Sequence, residues 1–238
     1  MLKLTPIILI LAYAVALWFF SVWRLKRELA ERSTALDHSA LNPLLDRLGA
    51  AMDLPRIQAR IYEIPAINGL ATVDGRVYVT RGFIDGMEQG RFTPAEVSSV
   101  IAHELGHVAH GHARRRMIDF AGQNVIRGVL IGTVGRFVPF IGPWLIGLMT
   151  TAIAARLSRQ DEYEADRFAT ALMLRAGLGA GAQISMFEKL GRLGGARGPA
   201  ATWLMSHPAP DQRITAIRDN LSRWQGGAGP KNASGGDI

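Results

Sequence analysis

The stretch VIAHELGHVAHGH, Val100 to His112, carries four of the six histidines of the chain. His103 and His107 are four residues apart. On an α-helix that spacing leaves them about 40° apart around the axis and about 6 Å along it, so both imidazoles meet one ion. Glu104, one residue on, is turned away by about 100°. It is badly placed as a ligand beside the two histidines and well placed to reach a water on the ion. Thr93-Pro94-Ala95-Glu96 opens the helix as a capping box, with threonine as cap and glutamate three residues later. Val97, Val100, Ile101, Leu105 and Val108 give it a buried face. A helix this apolar apart from its histidines has to be central to the fold.

H-E-x-x-H on a helix is a zinc arrangement with the glutamate as general base. Zinc lowers the pKa of its water from about 15.7 to about 7. Glu104 then takes the proton during attack on a carbonyl and passes it to the leaving amine. The chain has no cysteine, which removes disulfides, thiolate nucleophiles and Cys-based zinc sites, so the ligands must be His, Asp or Glu. Two protein ligands are incomplete, because catalytic zinc usually has three plus water.

His110 and His112 follow His107 at +3 and +5, with Gly111 between. Ligands from one continuous helix approach an ion from one side only, so the third should come from elsewhere. His110 and His112 read as solvent-facing or structural. The best remote stretch is SRQDEYEADRFA, Ser158 to Ala169, with Asp161, Glu162, Glu164 and Asp166. Glu162 and Asp166 are four apart and share a helix face; Glu164 points away. A second carboxylate one turn from a ligating one can accept the N–H of a ligating imidazole. Spacing alone fits a solvated acidic helix start equally well.

The net charge of +7 admits nucleic acid or an anionic membrane surface as partner. The basic residues are scattered, without a stripe of interleaved aromatics, which argues against nucleic acid. From Leu4 to Trp23 the chain carries no charge over 20 residues, about 30 Å of helix and one hydrocarbon thickness. Trp18, Phe19, Phe20 and Trp23 lie toward the far end, where aromatics favour the interface. A cleaved signal peptide is the competing reading, but the apolar run is too long for one and no small-residue cleavage site follows. An uncleaved anchor in the inner cell membrane is expected. Arg24, Lys26, Arg27 and Arg32 after the span, against Lys3 before it, place the bulk of the chain in the cytoplasm by a small margin, with the periplasm as the alternative.

Further along, Glu28 to about Ser39 reads as a charged helical stalk. Asn42-Pro43 reads as a cap followed by proline at the first helical position. RIQARIYEIP, Arg56 to Pro65, alternates like a strand, and LATVDGRVYVT, Leu70 to Thr80, is a hairpin with Asp74-Gly75 at its turn. Helices are expected over Ser158 to about Arg175, Ala182 to Leu193 and Asp211 to Trp224, and disorder from Gln225. Val125 to Ala155 is a second apolar region of 31 residues that includes Arg127 and Arg136. Both its flanks must reach one ion, so it crosses a membrane twice or not at all, and two spans need roughly 40 apolar residues. A greasy helical hairpin over the site, or dipping into the interface, is expected instead.

HELGH followed by SRQDEYEADRFA resembles the HtpX-like and CAAX-prenyl-protease (Ste-type) family of membrane zinc metallopeptidases. The resemblance runs from about Asn42 to Arg218 and includes INGLATVDGRVYVTRGFID and SHPAPDQRI. It implies a gluzincin-like site in which Glu162 is the third zinc ligand, with one Zn2+ per chain, and Asp166 supports the first histidine. It also implies that His207, Pro208 and Arg213 lie near the active site, where His207 could hydrogen-bond the developing oxyanion and Arg213 could position it. This chain departs from relatives at Asn68-Gly69-Leu70, where they often have Asn-Ala-Phe.

The fold expected is α+β and mainly helical: a zincin-like metallopeptidase domain with a small β-hairpin or sheet beside the HExxH helix, preceded by one transmembrane helix. The divisions are 1–24 for the anchor, 25–41 for the stalk, 42–224 for the metallopeptidase domain and 225–238 for the tail. The function expected is a membrane-anchored zinc endopeptidase acting on unfolded or membrane-associated polypeptide, in protein quality control, with ATVDGRVYVT as the strand that pairs with substrate. The alternative from another class is a catalytically silent, membrane-tethered binding or chaperone-like protein that keeps the metal site as scaffold.

Overall fold

The computed structural model describes residues 5–72, 74–112, 115, 142–194, 198, 200–207 and 210–225, with backbone alone for 5–11, 14, 17, 18, 142–156 and 201. The architecture is mainly helical with one small mixed sheet. In chain order it runs α1 (Thr5–Glu31), β1 (Ser33–Ala35), α2 (Asn42–Ala51), β2 (Ala59–Tyr62), β3 (Gly69–Ala71), β4 (Val77–Thr80), α3 (Arg81–Glu88) and α4 (Pro94–Ala109). After it come α5 (Gly142–Arg175), α6 (Gly181–Leu193), α7 (Ala201–Ser206) and α8 (Pro210–Gln225).

The strands lie in the order β1-β2-β4-β3. β2 and β4 are parallel, with Ala59 opposite Val77, and β1 and β3 flank them antiparallel. β2 alternates buried and half-buried, Ala59 and Ile61 facing inward, whereas β4 is buried throughout. That burial makes β4 an internal strand. Of the segment expected to pair with substrate, only β3 has an open edge among the described residues. The turn between β3 and β4 is closed by Gly75 N–H donating to Thr72 O at 2.9 Å, and Gly75 takes φ +84°, a conformation glycine enters without steric cost.

α4 is the central helix. Thr93 caps it through the expected box, its side chain accepting from Glu96 N while the Glu96 carboxylate accepts from Thr93 N. It packs on α5, α6, α2, β3 and β4. The core gathers Leu45 and Leu48 of α2, Val77 and Val79 of β4, Val97 and Ile101 of α4, and Met173 and Leu190 beyond them, all buried.

Three expectations change. The stretch read as a helical stalk leaves the helix at Glu31 and forms β1, which pairs with β2 from Ser33 opposite Tyr62. Leu29, Leu36 and Leu41 are buried there, so this segment is fixed by tertiary contact, which local propensity does not encode. Asn42 starts α2 instead of capping it, and Leu41 is the cap residue without a side-chain bond; Asn42 Oδ1 accepts from His38 N. The helix expected from Ser158 is the far part of α5, which begins at Gly142 and runs 34 residues. Nothing between Leu148 and Arg175 is glycine or proline, so the polar Ser158-Arg159-Gln160 marks a change of environment and not a helix start.

The expected hairpin over Val125–Ala155 lies outside the described residues as far as 141, and the tail lies outside them from 226. Among the described residues no helix is long and apolar enough to cross a membrane; most side chains of 1–18 are not among them.

Candidate active site

The site forms where α4 and α5 cross. A Cβ on Gly106 would stand 2.8 Å from both Cα and O of Ala165, so the two backbones touch at a residue that only glycine can fill. That crossing carries Glu162 to the paired histidines. His103 Nε2 and His107 Nε2 are 3.1 Å apart. The Glu162 carboxylate reaches both, Oε2 at 3.5 Å from His103 Nε2 and Oε1 at 3.5 Å from His107 Nε2. All three side chains are buried.

Asp166, one turn after Glu162, accepts from His103 Nδ1 at 2.9 Å, which directs Nε2 of His103 at the cluster. Arg213, in the first turn of α8, closes on Asp166 with both arms of its fork, Nε to Oδ2 at 2.6 Å and Nη2 to Oδ1 at 2.7 Å. Its Nη1 lies 3.3 Å from Glu162 Oε2, and its guanidinium sits 4.2 Å over the Phe187 ring. Arg213 therefore engages the metal-site carboxylates and not His207. His207 follows α7 and is stacked on Trp203, ring centroids 4.3 Å apart. Its Nδ1 is 2.7 Å from Glu162 Oε2 and its Nε2 is 3.7 Å from Glu104 Oε1. Pro208 is outside the described residues.

Glu104 is 2% exposed, and its Oε1 has no hydrogen bond among the described residues. β3 runs beside it: a Cβ on Gly69 would lie 2.9 Å from that same oxygen. The glycine at the departure Asn68-Gly69-Leu70 thus lets the open edge strand close on the glutamate.

One contact was not legible as such in the sequence. His112 is 1% exposed and its Nδ1 lies 2.8 Å from His107 Nδ1. Its Nε2 lies 3.1 Å from Glu164 Oε2, and Arg115 Nη1 stands 3.3 Å from both Glu164 and Asp161. On a continued helix His112 would be about 140° around the axis from His107. Gly111, at φ +63°, ends α4 in a left-handed turn and folds His112 back. That glycine between two histidines was the available signal. His110 is half-buried and stacks parallel to His112; Glu164 points away from the central cluster, as its spacing implied.

Charges in the site are strongly perturbed. Burial pushes the Glu104 carboxyl up. Burial also works to raise Glu162 and Asp166, but hydrogen bonds from His103 and His207 hold Glu162 well below the usual carboxylate range, and the Arg213 guanidinium keeps Asp166 low. Burial and Arg213 work to lower His103, yet its bonds to Asp166 and Glu162 prevail and raise it to about 9. Burial pushes His112 down, so near neutral pH its ring offers one donor and one acceptor.

The donor set fits zinc. Four ligand atoms of His103, His107, Glu162 and His207 lie within 4.8 Å of one another. The 3.1, 3.5 and 3.5 Å separations among the first three match the roughly 3.3 Å edge of a tetrahedron around an ion with ligands at about 2.0–2.1 Å. The 2.7 Å between His207 Nδ1 and Glu162 Oε2 is a hydrogen-bond length, too short for two ligands of one such ion. Two imidazoles and a carboxylate, all buried and converging on one point, are the donor types that zinc takes.

A helix with two histidines, a second helix with a carboxylate and a small sheet alongside define a zincin-like metallopeptidase domain. The sequence profile of Peptidase family M48 matches residues 35–221. The chain is 30% identical to the metalloprotease LoiP of Escherichia coli K12 over 183 residues, 76% of this chain and 69% of that one. It is 30% identical to the metalloprotease YcaL of the same organism over 175 residues, 74% and 66% of the two chains. To the protease HtpX of Shewanella halifaxensis it is 30% identical over 207 residues, 71% and 69%. The chain belongs to peptidase family M48 and is a zinc metalloendopeptidase.

Proposed function

We propose that the protein is a membrane-anchored endopeptidase in which His103, His107 and Glu162 hold one zinc ion and Glu104 is the general base. The observation that carries this reading is the mutual spacing of those three side chains, 3.1 to 3.5 Å. Bound zinc supplies a water of lowered pKa and polarises the scissile carbonyl. Glu104 Oε1, buried and without a hydrogen bond among the described residues, accepts the proton of the attacking water and returns it to the leaving amine. Asp166 orients His103, and Arg213 holds Asp166 and Glu162 in register. His207, whose Nδ1 donates to Glu162 Oε2 at 2.7 Å, brings its Nε2 to 3.7 Å from Glu104 Oε1 and lines the space where negative charge develops.

Substrate enters along β3. Its open edge, beside Glu104, offers main-chain donors and acceptors to an extended polypeptide. Strand addition reads backbone more than side chains, which suits unfolded segments and a role in protein quality control. The uncharged run Leu4 to Trp23, with Tyr13, Phe19, Phe20 and Trp23 exposed on α1, supports anchoring in the inner membrane, and the basic residues after it support a cytoplasmic catalytic domain. A silent scaffold has no use for a buried carboxylate beside its ligands with one oxygen unbonded among the described residues.

Casein cleavage by the purified full chain tests this. Chelation abolishes it and zinc restores it. Glu104→Gln keeps zinc and loses about 10²- to 10⁴-fold in rate. Cleavage unaffected by chelator, or loss of zinc from the glutamine variant, overturns the assignment.

A further inference from the structure

We propose that His112 is a positioning residue: it accepts the Nδ1 proton of His107 and passes the alignment on to Glu164, fixing the tautomer in which His107 faces the metal. The inference rests on His107 being a zinc ligand, as proposed above, and adds a partner on its far side.

The direction of each bond follows from the chemistry. A ligating Nε2 must present a lone pair, so the proton of a neutral His107 lies on Nδ1. The atom 2.8 Å from that Nδ1 is His112 Nδ1, which therefore accepts. An imidazole accepting at Nδ1 carries its own proton on Nε2, and His112 Nε2 lies 3.1 Å from Glu164 Oε2. The chain His107, His112, Glu164 thus has one consistent proton arrangement. His103 reaches its carboxylate directly, Nδ1 to Asp166 at 2.9 Å, whereas His107 reaches one through a second imidazole. The left-handed Gly111 makes the relay possible by turning His112 under the end of its own helix.

His110, His112 and Glu164 could also form a cation site of their own. Arg115 Nη1, 3.3 Å from Glu164 Oε2, puts a positive charge where such an ion would need the carboxylate. The relay uses the same atoms without that conflict.

The test is the zinc dissociation constant of the full chain, measured by competition with a chromophoric chelator, alongside melting of the zinc-free protein. His112→Phe keeps the ring's bulk and removes the acceptor; about 10- to 100-fold weaker zinc binding is expected. His112→Asn puts an oxygen where Nδ1 was, and restores affinity to within a few-fold of the parent. Glu164→Ala, at a half-buried position, weakens binding by a smaller factor. Unchanged affinity in His112→Phe overturns the relay, as does an asparagine variant as weak as the phenylalanine one while both melt like the parent. If His112→Phe does not fold, Glu164→Ala decides, and unchanged affinity there overturns it. A second zinc ion bound by the parent and lost in His112→Asn also overturns it. A parent chain that binds no zinc defeats the metal site itself, a result distinct from all of these.

Discussion

Arg213 sets Nε and Nη2 on Asp166, at 2.6 and 2.7 Å, from a position 1% exposed. A buried bidentate pair of this kind contributes little over a well-packed apolar pair, but removing one partner strands the other. Arg213→Ala should therefore destabilise the fold by about 3–5 kcal/mol in denaturant unfolding; a loss below about 1 kcal/mol would mean that Asp166 finds another partner. At this scale much of the site was legible. His103, Glu104 and His107 follow from helical spacing, and Glu162 with Asp166 from a shared face plus a family resemblance. His112 was not, because its contact depends on where α4 stops. The bonds of Arg213 to Asp166 and Glu162 were not legible either, since the direction in which a long side chain folds back is set by what is buried around it.

Gly106 shows how one absent methyl group governs two helices. Alanine is the better helix former, yet its Cβ would meet the Ala165 backbone at 2.8 Å, and backbone cannot yield as a side-chain tip can. Gly106→Ala should cost about 1–3 kcal/mol despite its higher propensity and weaken zinc binding as α5 moves off; parent-like melting and affinity would contradict the crossing. The sheet has its own fastening. Glu63, after β2, accepts from both Arg81 Nε and Nη2 at 2.8 Å and from Thr34 of β1 at 2.6 Å. Those bonds lower the Glu63 carboxyl to about 2 from 4.5. A depressed carboxylate stabilises the fold above its unfolded value, and the contribution fades as pH falls from about 4.5 through about 2. Acid unfolding of Glu63→Gln should lack that component across this window; identical pH profiles would show that the pairing is screened away. Elements with strong periodicity, α4, α6 and the β3–β4 hairpin, could be read from the chain. β1 could not, since three residues in a charged stretch become a strand only by meeting β2.

Taken whole, the molecule surrounds its site with α4, α5, α6, α7, α8 and the sheet, and no one of them holds it alone. Side chains from two helices, all buried, converge on the proposed zinc site, so the ion would tie those helices together as well as supply chemistry. Removing zinc from a sample saturated at about a thousand times its dissociation constant should cost about 4 kcal/mol, roughly 10 °C in melting temperature for a domain of this size. A chelator that leaves melting unchanged would mean that the cluster is self-sufficient. The arrangement also sets an order of events during synthesis. Ribosomes deliver α4 with its two imidazoles well before the carboxylate of α5 leaves the exit tunnel. On the proposed ligand set a half-made chain has no centre with which to cut its neighbours, and the enzyme becomes dangerous only once the far helix has been translated.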